Sequence, residues 1–280
     1  MSQGRDGGHE PVVARGDGLR GEKIMNLNQA LFGVYPYIAL SVLAIGSVVR
    51  FDREQYTWRS GSSQLLRRRQ LMLGSVLFHL GVLMIFGGHV VGLLTPIWIF
   101  DALGVPHSAK QMLAIVAGGI AGVLGLCGGL VLLHRRLTDP RIRKNSSFSD
   151  IAILVLLVAQ LCLGLATIPS SLEHRDGHEM VKFMSWAQGV FTFQPRVADH
   201  VADVGLVFKA HLVLGMTILL VFPFTRLVHM LSAPIWFLGR RGWQLVRSKR
   251  PTPWTRPARF RPTPPVQAVY PPSTPRIRKD

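Results

Sequence analysis

From Gln70 to Phe100 the chain carries no Asp, Glu, Lys or Arg. A bilayer core of about 30 Å takes about 20 helical residues to cross, and this run is longer than that. Four other stretches share its character, so that the five are Leu31–Val49, Leu73–Thr95, Gln111–Leu133, Ile151–Ile168 and Val204–Met230. Only helices or closed barrels satisfy their backbone polar groups in lipid. The apolar residues do not alternate with polar ones, which argues against barrel strands. The expected fold is therefore all-α, an integral membrane bundle of five transmembrane helices. The first run has the length of a signal-peptide core but no clear cleavage site, and is read as a retained helix.

Charge gives the expected orientation. The formal net charge is +17, which could point to nucleic acid, but its placement points elsewhere. Arg50, Arg53, Arg59, Arg67, Arg68 and Arg69 lie between the first two runs, and Arg135, Arg136, Arg141, Arg143 and Lys144 between the third and fourth. Residues 96–110 hold Lys110 as their one cation, and residues 169–203 are net acidic. Basic loops stay on the cytoplasmic side, so the N-terminus is expected outside and the C-terminus in the cytoplasm, in a cytoplasmic membrane. Residues 1–25, polar and Gly-rich, read as a disordered extension, and Met25 is a candidate alternative start. Residues 26–247 read as the membrane domain. Residues 248–280 read as a Pro/Arg-rich cytoplasmic tail suited to anionic lipid or a partner rather than to nucleic acid. Cys127 and Cys162 fall in apolar runs and read as small core residues, with no disulfide framework or CxxC metal site.

Four histidines stand inside these runs: His79 and His89 in the second, His211 and His229 in the fifth. Intramembrane ionisable side chains are costly and mark function by default; a single one could equally be a bond between helices. Depth sorts the four. At 1.5 Å per residue, His89 lies about 15 Å outward of His79, and His211 about 27 Å outward of His229, because the two helices run in opposite directions. Level pairs are then His89 with His211 on the outer side, and His79 with His229 on the inner side. Facing imidazoles suit bis-histidine haem. The eighteen residues from His211 to His229 make five turns and share a face, whereas His79 and His89 are about 80° apart. A kink at Pro223 is one way to reconcile the spans. A porphyrin-free metal site would need Cys, Asp or Glu nearby, and none is there. Gly74, Gly81, Gly87, Gly88, Gly92 and Gly215 flank the histidines; they provide either space for a flat macrocycle or close helix packing.

The segments VYPYIA, REQYTWR, SSQLL, LFHLGVLMIFGGHVVG, LLTPIW, KQMLAIVAGGIAGVL, RRLTDPRIR, FKAHLVLGMT and PFTRLVHM resemble the gamma subunit of membrane-bound respiratory nitrate reductase, a dihaem cytochrome b. The resemblance runs from Met25 to Arg247. It implies that His89 and His211 bind an outer haem b, and His79 and His229 an inner one. It further implies that quinol is oxidised near the outer face, and that electrons pass through the outer and then the inner haem. From there they reach an iron–sulfur beta subunit and the molybdenum alpha subunit that reduces nitrate. It places Lys110 and Gly88 at the quinol site. From the residues alone, Lys110 reads either as a quinol contact or as a snorkelling interfacial lysine. The arginine loops either dock the beta subunit and pair with haem propionates or serve topology alone. His107, His134, His174, His178 and His200 read as surface residues, His200 with proton release as a further role. Nitrate reduction itself is not expected on this chain. The rival readings are a dihaem anchor of a hydrogenase, formate dehydrogenase or thiol-disulfide reductase, and a haem-free transporter or structural anchor.

Overall fold

A computed structural model describes residues 27–58, 66–173 and 176–232. The extension 1–25, the tail 248–280, both ends of the 26–247 domain, Arg59 and His174 lie outside the described residues. In chain order the α-helices are α1 (Leu27–Arg53, with a π turn at Ala30–Val34), α2 (Arg68–Leu94), α3 (Ile97–Ala102), α4 (His107–Thr138), α5 (Pro140–Lys144), α6 (Phe148–Glu173), α7 (His178–Phe191) and α8 (Leu206–Val221). The described residues are all-helical. Five helices are long and apolar enough to cross a membrane: α1, α2, α4, α6, and α8 with its continuation to Phe224. They mark a multi-pass membrane protein. The first, third and fourth reach beyond both ends of the apolar run that announced them, and the second starts earlier and stops at Leu94.

Neighbours follow one another as α2 on α4, α4 on α6, α6 on α8 and α8 on α1. The tightest of these seams, α2 on α4, is built from glycine. A Cβ on Gly81 would fall 2.5 Å from the Ala121 carbonyl oxygen and closer still to the Gly125 nitrogen. One on Gly128 would fall 2.7 Å from the Gly74 carbonyl oxygen and strike the Phe78 nitrogen. The two backbones touch, and apolar helices in lipid associate through such small-residue contacts. Gly81→Ala should therefore force the helices apart at a cost of about 1–3 kcal/mol. A lower melting temperature in detergent is the expected result, and an unchanged one would show that the seam is slack.

The fifth span departs from the single straight helix expected over Val204–Met230. The α-helix ends at Val221, and two 3-10 stretches, Phe222–Phe224 and Arg226–Ser232, carry the chain past His229. Pro223 has no N–H to give the ladder, and its ring would meet the preceding turn. Arg50, in the last turn of α1, answers the carbonyls this break frees: its Nη1 donates to Pro223 at 2.5 Å and to Thr225 at 2.8 Å. Gly46 admits Pro223, whose Cβ and Cγ would be 3.0 Å from an added Cβ. The spacing from His211 to His229 is thus not five α-turns. At this arginine-bearing end Arg135 is buried and donates to the Leu66 carbonyl at 2.6 Å, Arg67 pairs with Asp139 at 3.0 Å, and Asp150 lies between Arg136 at 3.9 Å and Arg226 at 3.7 Å. Several loop arginines are therefore staples between helix ends.

The opposite end has a folded cap where the sequence reading saw only an acidic loop. Met184, Trp186, Ala187 and Val190 on α7 are buried. Trp186, Ala187 and Val190 join Phe32, Val201 and Phe208 in one apolar cluster. Trp186 Nε1 donates to the Phe32 carbonyl at 3.0 Å, and Asn28 Nδ2 to that of Ala198 at 2.9 Å. On its exposed side Lys182 reaches Asp203 at 2.8 Å and Glu179 at 3.1 Å, and hydrogen bonds to the two carboxylates, Asp203 first, hold its ammonium above the usual lysine range.

Candidate functional site

The four membrane histidines meet as two pairs. The rings of His89 and His211 are 6.2 Å apart between centres, and those of His79 and His229 are 6.3 Å apart. The 3-10 ending of the fifth span delivers His229, and α8 proper delivers His211. Helices α2 and α8 make no seam like the glycine-built one among the described residues; it is the imidazoles that bridge them. Two metal–imidazole bonds of about 2 Å, plus the short step from each nitrogen to its ring centre, separate ring centres by about 6 Å. The observed spacings match that figure.

Hydrogen bonds select the nitrogens. His79 Nδ1 lies 2.8 Å from the Ser75 carbonyl oxygen, His89 Nδ1 2.8 Å from that of Ile85, and His229 Nδ1 2.5 Å from that of Arg226. A carbonyl only accepts, so each Nδ1 carries the proton and each Nε2 keeps a lone pair for a metal. Among the described residues no group of three or more His, Cys, Asp or Glu could hold a metal ion. A metal held here by two imidazoles has to bring its other donors with it, as a porphyrin does. The residues present fit haem.

The flanking glycines divide between the two uses left open. Gly74 and Gly81 are buried in the α2–α4 seam. A Cβ on Gly87, Gly88 or Gly92 would meet nothing within 4 Å, so the face of α2 around His89 has room beside it. A Cβ on Gly215 would fall 3.2 Å from Gln160 Nε2.

Lys110 does not snorkel. It stands in the first turn of α4 and is 7 % exposed. Its Nζ sits 3.7 Å from the centre of the Phe100 ring and 2.6 Å from Met184 Sδ. One turn along α7 from Met184, Gln188 Nε2 donates to the carbonyls of Leu93 and Thr95 at 3.0 and 2.9 Å. Helix α7 thereby joins Lys110 to the end of α2 that carries His89. Phe100, Met184 and Gln188 escaped sequence reasoning; the only signal was the helical spacing of apolar residues from Met180 to Phe191. Cys127 and Cys162 are exposed on α4 and α6, not core residues. In helices apolar nearly all round, hydropathy does not tell the inner face from the outer. His107 pairs with Asp101 at 3.5 Å.

Comparison with known proteins gives the family of the chain. Residues 28–249 match the family described as nitrate reductase gamma subunit. The respiratory nitrate reductase 1 gamma chain of Escherichia coli (strain K12) is 51% identical over 223 residues, 80% of this chain and 98% of that one. The respiratory nitrate reductase 2 gamma chain of the same organism is 50% identical over 227 residues, 81% of this chain and 100% of that one. The nitrate reductase gamma chain of Bacillus subtilis (strain 168) is 38% identical over 212 residues, covering 76% and 95%.

Proposed function

The chain belongs to the nitrate reductase gamma subunit family, and from that premise we propose that it is the quinol-oxidising dihaem cytochrome b subunit of a respiratory nitrate reductase. The observation that carries the reading is the pair of imidazole pairs, each with its ring centres spaced for one metal between two Nε2 atoms. His89 and His211 hold one haem b, and His79 and His229 the other. When bound, the two haems carry electrons singly between quinol and a partner subunit. The N-terminus lies outside the cytoplasmic membrane, a placement supported by the basic loops between α1 and α2 and between α4 and α6. The cap end is then the outer end.

The rest of the chemistry belongs to this chain's own side chains. Three backbone carbonyls fix the proton on Nδ1 of His79, His89 and His229, so Nε2 stays basic. Lys110 Nζ donates to a quinol oxygen and stabilises negative charge as the quinol loses its protons. Gly88 leaves the approach beside His89 open. The cap shields that end from water, which strengthens every electrostatic interaction beneath it. At the other end, exposed Arg68, Arg69, Arg141, Arg143 and Lys144 offer a basic surface to an iron–sulfur beta subunit, through which electrons reach the molybdenum alpha subunit.

Pyridine haemochrome assay of the purified chain tests this directly. About two haems b per chain are expected, released by acid acetone because no CxxCH is present to form thioether links. A well-folded preparation with a value near zero would end the cytochrome reading.

A further inference from the structure

His211 differs from the other three imidazoles in what meets its second nitrogen. The Nδ1 atoms of His79, His89 and His229 each lie against a carbonyl of their own segment; that of His211 is buried and has no hydrogen-bond partner. Helix α6 stands against this ring instead, and it presents an amide. Gln160 Nε2 lies 3.1 Å from the His211 carbonyl oxygen and 3.4 Å from His211 Nε2, while Gln160 Oε1 is buried without a partner. Two glycines make the approach possible. Gly164, one turn along α6, lets the imidazole lie close: an added Cβ would be 3.1 Å from His211 Cε1. Gly215, one turn along α8, leaves room for the amide, whose Nε2 would be 3.2 Å from an added Cβ. Amide and imidazole thus meet with one unsatisfied polar atom each, in a segment where no water is at hand to supply a bond. A primary amide holds two donors and one acceptor at its tip, so by turning it can serve either nitrogen state of an imidazole.

We propose that Gln160 is the positioning residue of His211: with His211 Nε2 given to the metal, the amide turns so that its unpartnered Oε1 accepts from the unpartnered Nδ1–H, which fixes the ring's rotation and proton as carbonyls do for the other three and thereby sets the reduction potential of the haem held by His89 and His211. This rests on the dihaem reading. Outer groups that hydrogen-bond a ligating imidazole change its basicity and so the metal it holds. A plain bond between helices, from the amide to the His211 carbonyl, would instead affect stability alone.

The test is redox titration of the full chain in its membrane complex, followed by optical and paramagnetic resonance spectra. Gln160→Met keeps the side-chain length and removes both donor and acceptor. Gly215→Ala leaves the amide intact and displaces it. In each variant the haem that is lost in His211→Ala should change its reduction equilibrium by about tenfold, about 59 mV for one electron, with a shifted low-spin signal. The other haem should keep its potential and signal. Unmoved potentials in both variants would overturn the inference while leaving the dihaem reading standing. So would equal shifts of both haems together with a lower melting temperature, which is what general loosening gives. A wild-type chain without haem would overturn the dihaem reading, and this inference with it.

Discussion

His89→Ala and His211→Ala should each remove the same haem, and His79→Ala and His229→Ala the other. Each variant is expected to bind about one haem in place of about two, because one of the two histidines that would hold each haem is removed. The prediction follows from two independent lines. The order of residues along two antiparallel spans puts His89 on the side of His211 and His79 on the side of His229. The structure brings those same rings to 6.2 and 6.3 Å. Redox titration of the four variants, each component identified by its spectrum, decides the matter. Loss of one shared component in His79→Ala and His211→Ala would refute the antiparallel pairing. The retained component serves as an internal control for folding, since α2 and the fifth span, α8 with its 3-10 continuation, each carry one histidine of both pairs.

How much of this was legible beforehand depends on whether one helix or two had to be known. The five spans were, because each is a property of a single run of side chains against a fixed bilayer thickness. So was the facing of His89 with His211 and of His79 with His229, because it follows from the order of residues along two antiparallel spans. What lay hidden needed two segments at once. The run HEMVKFMSWAQGVF is amphipathic, and its apolar face is meaningful only against Phe32, Val201 and Phe208, far away in sequence. It therefore read as part of an acidic loop. Pro223 announced a break, but the 3-10 path that follows it depends on Arg50, 173 residues away, taking the freed carbonyl. Gly81 and Gly88 are the same residue type on the same helix, yet a Cβ on the first would strike the backbone of α4 and one on the second would meet nothing within 4 Å. Period alone could not divide them. Gln160 was passed over because one amide in an apolar helix has no pattern; its meaning comes from His211 on another helix.

Lys110→Ala should slow the reduction of the haems by a quinol analogue by about one to two orders of magnitude while both haems stay bound. The lysine is 7 % exposed, and its ammonium lies between the Phe100 ring and Met184 Sδ under α7. A cation held there cannot be explained by snorkelling, which would carry it out to water. A charge-assisted hydrogen bond to a quinol oxygen is worth about 1.5–3 kcal/mol, which converts to the stated factor at about 1.4 kcal/mol per tenfold. Lys110→Arg keeps the charge but replaces a compact ammonium with a larger planar fork, so partial activity is expected in a site bounded by Phe100 and Met184. Stopped-flow haem reduction in oriented vesicles, with the external pH recorded, measures both the rate and the side of proton release. Protons should appear on the outer side as electrons move toward the arginine-bearing end. Wild-type rates in Lys110→Ala would mean that the lysine only holds α7 to α4. Release on the cytoplasmic side would place quinol oxidation at the opposite end of the bundle.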